Sequence, residues 1–214
     1  MRIIVTSATE METESLRQTL NANYSLPHSI DYHVSGVGML CTTYSLTTLL
    51  LYSKPDLIIQ TGIAGAYNTS VELGKVMIMQ SDALGNTGVL ENEEWKDIFD
   101  TGFIAANRFP FTEKKLINPW LNKLPVTLPV ATGITIDEIT TDKNRIDILK
   151  NKYNADTESM EGAPFHYVCL QQNVPFMQIR GISNYVGERN KGLWKIKEAL
   201  HNTTEEIARF LKKL

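Results

Sequence analysis

Lys54-Pro55-Asp56-Leu57-Ile58-Ile59-Gln60-Thr61-Gly62-Ile63-Ala64-Gly65-Ala66 is the stretch that decides the fold class. Asp56 to Gln60 is a short apolar run after a proline, which predicts a strand buried in a sheet. Thr61 to Ala66 is a run of small residues and reads as a loop leaving that strand. Such a loop lets backbone amides approach a planar ligand closely, although packing of the following segment explains the small residues equally well.

Reading outward, the same alternation repeats on both sides. Upstream, Arg2 to Thr6 predicts a buried strand and Glu10 to Leu20 a helix with Met11, Leu16 and Leu20 on one repeat. Tyr32 to Ser35 predicts a short strand, and Met39 to Tyr52 a mostly apolar helix stopped by Lys54-Pro55. Downstream, Lys75 to Gln80 reads as a strand and Gly85 to Asn107 as loop with short elements. Glu113 to Leu124 should be helical. Val126 to Thr132 reads as a strand in spite of Pro129, which suggests an edge or a bulge. Asp142 to Lys152 is a predicted helix with Asp142 near its cap, and Ala155 to Glu158 a short strand. Met160 to Gln172 (helix), Pro175 to Ile182 (strand) and Leu193 to Leu214 (helix) complete the pattern. Alternating strands and helices predict a three-layer α/β domain with a mostly parallel sheet. No linker or repeat divides it, so residues 1–214 are expected to form a single domain.

Composition narrows the function. The chain has 43% hydrophobic and 21% charged residues and a net charge of −3, an ordinary globular balance. No dense basic surface is available for nucleic acid, so a small molecule is the expected partner. The two cysteines, Cys41 and Cys169, form no CxxC and sit in apolar stretches, which predicts core positions rather than a disulfide scaffold. The four histidines lie at no metal-ligand spacing, so no metal and no cofactor are expected. No signal-like segment precedes the first strand, and no apolar run approaches the roughly 20 residues that span a bilayer, so a cytoplasmic protein without membrane contact is expected.

In an open parallel sheet, ligands bind beyond the carboxyl ends of the strands. Polar groups gather there along this chain: Glu10, Glu12 and Glu14 after the first strand, Glu158 and Glu161 after the Ala155 strand, Arg180, Ser183 and Asn184 at the end of the Pro175 strand. Taken alone, a first-turn glutamate is explained by the helix dipole, and the acids of Asp156 to Glu161 are explained by capping as well as by function. Gly36-Val37-Gly38 begins like a GxGxxG, but position six is Cys41, and a tight strand-to-helix turn is the plainer reading.

Several of these stretches, in this order, resemble one known family. Ser7 to Glu12 looks like the GAMxxE opening of the methylthioadenosine/adenosylhomocysteine nucleosidases. Ser35 to Gly38 resembles their SGxG turn, Lys54 to Ala66 their KPDxxIxxGxAG strand and loop, Glu158 to Ala163 their ExMEGA signature, and Arg180 to Asn184 their RxIS(D/N) strand end. The chain is thereby similar to the nucleoside phosphorylase/nucleosidase superfamily across nearly its whole length. Within it, Ser183 to Asn190 followed by Trp194 looks most like the futalosine hydrolases.

The resemblance implies a three-layer α/β/α sandwich with a mixed, mostly parallel sheet and hydrolysis of the N-ribosidic bond of a purine nucleoside, with hypoxanthine as the leaving base. It places Glu12 as the acid/base acting on water, Arg180 near that water, and Asn184 against the purine. It places Glu161 on the ribose hydroxyls, Met160 against the sugar, Ala64 and Gly65 along the base, and Ile136 as a further wall. Asn184 replaces the aspartate of adenine-specific relatives and cannot hand over a proton outright, which favours a 6-oxopurine. Arg189, with Lys191 as a second candidate and Trp194 as an apolar wall, would meet a carboxylated tail, or would simply be solvated loop charge. The arginine that phosphorylases carry at the end of the strand before the Gly/Ala loop is Gln60 here, so water rather than phosphate is the expected nucleophile. Gly74-Lys75 stands for the usual Gly-Asp, and Ile63 for the usual serine. Relatives assemble, so a homo-oligomer is expected, with the Met39 helix either its interface or ordinary core packing.

Overall fold

The computed structural model describes residues 1–23, 27–92 and 94–214, the side chains of 21–23 excepted. Its elements are β1 (Arg2–Ser7), α1 (Glu10–Asn23), β2 (Ser29–Val34), α2 (Gly38–Tyr52), β3 (Leu57–Gln60), β4 (Ile63–Ala66), β5 (Val76–Asp82), β6 (Gly88–Glu91), β7 (Glu94–Asp97), β8 (Leu116–Ile117), β9 (Val130–Thr135), α3 (Lys143–Tyr153), β10 (Thr157–Ser159), α4 (Gly162–Gln172), β11 (Phe176–Tyr185) and α5 (Ile196–Lys213). Among the described residues, nine strands form one mixed sheet in the order β2-β1-β3-β11-β4-β10-β9-β5-β8, and β6 and β7 form a separate hairpin.

β11 organises the sheet. Its first residues pair in parallel with β3, its middle pairs antiparallel with β5, and its end pairs in parallel with β4. Through β10 and β9 the pairing returns to β5, so β11, β4, β10, β9 and β5 close into a ring. The strands alternate between two cores. Ile3, Val5, Leu57, Ile59, Met177 and Ile179 meet α1 and α5 on one face. Ile4, Ile58 and Phe176 meet Leu46 and Leu50 of α2 and Phe165 and Val168 of α4 on the other. Burial on both faces is why these strands read as unbroken apolar runs. The arrangement is the expected three-layer α/β/α sandwich.

Several expectations are corrected. The segment Glu113 to Leu124 is not a helix. Glu113 and Lys114 adopt left-handed φ of 47° and 68°, β8 adds to the edge of β5, and only Leu121–Lys123 makes a 3-10 turn. Pro119 lacks the N–H a helix needs there, and the Asn118 side chain instead donates to the Phe176 carbonyl (2.8 Å). The predicted strand from Val126 starts only at Val130, after Pro129, and runs on to Thr135. The Thr61 to Ala66 stretch is not all loop: Ile63–Ala66 is β4. Cys169 is buried as expected, but Cys41 is exposed on α2. That helix buries Thr42, Leu46 and Leu50 and turns Leu40, Tyr44, Leu51 and Tyr52 outward. The N-terminus of α3 matches its sequence signal, with Asp142 accepting from Arg145 N (3.0 Å).

Among the described residues, no helix is long and apolar enough to cross a membrane.

Candidate active site

A cavity of about 240 Å³ opens where α1, β4, β10, β11 and the loop after β11 converge. Three polar segments build its reactive end.

The first is the start of α1. Thr9 precedes the helix, and its backbone N–H and hydroxyl both donate to Glu12 Oε2 (3.0 and 2.9 Å). This is half of a capping box, and Thr9-x-x-Glu12 is its sequence signature. The contact fixes the Glu12 side chain and leaves Oε1 directed at Gly62, where an added Cβ would lie 3.0 Å from it.

The second is the turn from β10 into α4. Glu161 occupies the N-cap position with φ −132° and ψ −3°, so the helix begins at Gly162 rather than Met160. Its Oε1 accepts from the backbone N–H of Gly38 (3.1 Å) at the first turn of α2. Gly38 and Gly36 have φ of 85° and 82°, which a side chain would strain. The Gly36-Val37-Gly38 turn is thus a tight strand-to-helix turn that also positions a carboxylate. Burial pushes the Glu161 carboxyl up, the Arg180 guanidinium and the Gly38 N–H pull it down, and the Glu12 charge raises it.

The third is β11. Arg180 is almost fully enclosed. Its Nη2 donates to Gln60 Oε1 (2.9 Å) and lies 3.7 Å from Glu161 Oε2. Gln60 passes the contact on by donating to the Glu161 carbonyl (3.2 Å). An added Cβ on Gly62 would sit 2.5 Å from Arg180 Nη1, so this glycine is the space where the Glu12 carboxylate and the Arg180 guanidinium approach each other. Arg180 does not line the cavity; it stands behind both carboxylates. Farther along β11, Asn184 Oδ1 accepts from the Ser183 hydroxyl (2.7 Å) and its Nδ2 donates to the Tyr185 carbonyl (3.0 Å). One lone pair of the oxygen and one N–H are thus engaged, and the second N–H is left to donate to a ligand beside the oxygen's second lone pair.

Of the other expected residues, Met160, Ala64, Gly65, Ile136, Arg189 and Trp194 all line the cavity. Arg189 stacks its guanidinium 5.7 Å from the centre of the Trp194 ring. Lys191 is exposed in a 3-10 turn and is not part of the wall. Sequence reasoning gave no role to Glu158, a buried wall residue hydrogen-bonded by Tyr67 (2.6 Å); a glutamate inside a short buried strand was the available signal. Among the described residues, Glu12, Glu158, Glu161 and Glu188 line the cavity against a single cation, Arg189. Among the described residues, no three His, Cys, Asp or Glu side chains gather as a metal site.

Beneath the site, Asp82 is fully buried and accepts from Thr135 Oγ1 (2.8 Å) and Gln178 Nε2 (3.3 Å). Thr135 Oγ1 in turn accepts from Ala163 N (2.6 Å) at the start of α4, so Asp82 helps fix the turn that carries Glu161. Burial pushes the Asp82 carboxyl from 3.8 up to about 6, against the hydrogen bonds and the Arg180 charge. A raised folded-state pKa gives stability that is full below the unfolded value and lost as pH rises through the folded one. Asp82→Asn should therefore gain on the wild type by about 2 kcal/mol between pH 4 and 7, at 1.36 kcal/mol per unit. Gln178 Oε1 is unpartnered and can turn to receive the new amide. Urea midpoints across that range check this, and parallel curves for the two proteins would refute it.

The sequence profile of the phosphorylase superfamily matches residues 29–214. The chain is 27% identical to a futalosine hydrolase of Thermus thermophilus over 84% of its length and 80% of that protein. It is 28% identical to a 5'-methylthioadenosine/S-adenosylhomocysteine nucleosidase of Bacillus cytotoxicus over 100% of both. In fold it is similar to a futalosine hydrolase mutant of Helicobacter pylori (TM-score 0.82, 15% identity, 100% and 99% covered). It is also similar to the corresponding nucleosidase of Campylobacter jejuni (TM-score 0.78, 24% identity, 100% of both).

Proposed function

The chain belongs to the phosphorylase superfamily, and we propose that within it the protein is a hydrolase of purine nucleosides whose substrate is futalosine. The observation that carries hydrolysis is the charge of the cavity wall, four carboxylates against one guanidinium. Cleavage of an N-ribosidic bond makes the sugar cation-like and the base anionic, as in glycoside hydrolysis. Carboxylates favour that sugar and repel phosphate, so water is the nucleophile.

Each group then has a part. Glu12, with Oε2 tied to Thr9 and Oε1 free of it, orients water and takes its proton. Glu161, held by Gly38, accepts from the sugar hydroxyls and fixes the ring for attack. Arg180, behind both, helps keep Glu161 ionised. Asn184 donates its spare N–H to the purine as charge builds on the leaving base. Met160, Ala64, Gly65 and Ile136 are the apolar walls around base and sugar, and Arg189 with Trp194 receives a carboxylated tail.

The choice of futalosine rests on Asn184 and Arg189. Asn184→Asp restores a group that passes a proton to the base, so kcat/KM for methylthioadenosine should rise about tenfold or more and that for futalosine should fall. Free base separated by chromatography measures both. A wild type that already prefers methylthioadenosine would overturn the substrate assignment, and full-length similarity to the Bacillus nucleosidase makes that enzyme's reaction the second reading.

We also assign the outward Leu40, Tyr44, Leu51 and Tyr52 of α2 to self-association. Light scattering should find a dimer or larger species, and a monomer at micromolar concentration would contradict this.

A further inference from the structure

The reaction just outlined gives Glu158 no part beyond its share of the wall's charge, yet its placement is specific. Glu158 of β10 pairs with Gly65 of β4, and Gly65 pairs on its other side with Asn184 of β11. Residues paired across strands point to the same sheet face. Asn184 does so, since a Cβ added to Gly65 would lie 3.2 Å from its Nδ2. Glu158 and Asn184 both reach the cavity, as does Gly65 between them. Strands lie roughly 4.8 Å apart, so the carboxylate and the amide rise from backbones about 10 Å apart, with a bare glycine floor between them. That is a slot for a flat heterocycle held at two edges.

The carboxylate is also oriented. Tyr67 donates its hydroxyl to Glu158 Oε2 (2.6 Å). Among the described residues, no hydrogen-bond partner occupies Oε1. Burial disfavours the charged carboxylate and raises its pKa, and the Tyr67 hydrogen bond offsets part of that cost. Oε1 is not among the enclosed polar atoms that lack a partner, and Glu158 lines the cavity, so a ligand that brings a donor can reach it there.

We propose that Glu158 is a specificity-determining residue that reads the nucleobase, its free Oε1 accepting the ring N–H that a 6-oxopurine carries and a 6-aminopurine lacks. The inference rests on the reading of this cavity as a purine nucleoside site. At the other end of the row Asn184 donates, so the pair presents one acceptor and one donor. A 6-aminopurine turns a bare ring nitrogen towards the carboxylate, and two acceptors then face each other.

Glu158→Gln gives the decisive contrast. Tyr67 still donates to the side-chain oxygen, which turns the new –NH2 to where Oε1 stood. The slot then offers a donor, and preference should swing towards the 6-aminopurine. Calorimetric titration with free hypoxanthine, 1-methylhypoxanthine and adenine reads this without any turnover. The wild type should bind hypoxanthine ahead of the other two. In Glu158→Gln the hypoxanthine-to-adenine ratio should fall by on the order of 10²-fold. Tyr67→Phe, which removes the hydrogen bond that orients the carboxylate, should lower the ratio several-fold without inverting it.

A wild type indifferent to methylation of the ring nitrogen, or one that binds none of the bases, would overturn the proposal. An unchanged ratio in Glu158→Gln would do the same. Should Glu158→Gln fail to fold, an unchanged ratio in Tyr67→Phe has the same force. Base release by the wild type with an unmoved ratio would sink this inference alone. A ratio that swings in a protein that releases no base would sink the hydrolytic reading alone.

Discussion

Glu12→Gln is expected to lower kcat by about 10²–10⁴-fold, the usual contribution of a general base, while purine nucleoside affinity stays within a few-fold. The substitution isolates the chemistry because the cap survives it. Glutamine serves as well as glutamate at the third position of a capping box, so the contacts from Thr9 N and Oγ1 persist. What disappears is the ability of the free oxygen to take a proton. Thermal unfolding should move little, and single-turnover base release with calorimetric binding separates the two effects. If turnover persists, Glu12 is not the base. If binding is lost together with turnover, its role is to hold the ligand.

The largest stability effect is expected at Arg180. Arg180→Met should cost about 3–5 kcal/mol, the usual penalty for stripping one partner from a buried ion pair. For a domain of this length that is a fall in Tm of roughly 6–20 °C. The guanidinium is enclosed, and its loss leaves Gln60 Oε1 and the Glu161 carboxylate without it. Adding Glu161→Gln removes the stranded charge, so the double variant should recover part of the loss, a coupling that two independent sites would not show. Differential scanning calorimetry of the two single variants and the double decides. A fall of under 3 °C in Arg180→Met would mean that the guanidinium contributes little where it stands.

The parts of the fold that depend on burial alone were legible. Ile3 to Val5 and Leu57 to Ile59 are apolar on every residue because both sheet faces are covered, so they read as strands without any neighbour being known. Asp142 announced its helix because a cap is a local device. β4 was missed because a glycine- and alanine-rich segment becomes a strand only through its partners β10 and β11. The expected helix at Glu113 to Leu124 fails at Pro119, whose missing N–H was plain in the sequence.

The site divides the same way. Glu12, Glu161 and Asn184 follow strand ends, and that rule brought them together. Thr9-x-x-Glu12 carries the spacing of a capping box, and the structure forms half of one. The direction of the Asn184 amide was not readable, since it depends on Ser183 taking the oxygen. The strand-end rule also listed Glu158, but its place beside Gly65 was not readable, being set by the register of three strands that lie far apart in the sequence.

The central claim is that this cavity cleaves a purine nucleoside with water. Its most direct test is the release of free base from futalosine, inosine and methylthioadenosine in buffer without phosphate, repeated with phosphate added. The account predicts hypoxanthine from futalosine at a rate that phosphate does not change, with free sugar as the second product. Release only after phosphate is added, with a sugar 1-phosphate formed, would contradict it, as would no release from any of the three.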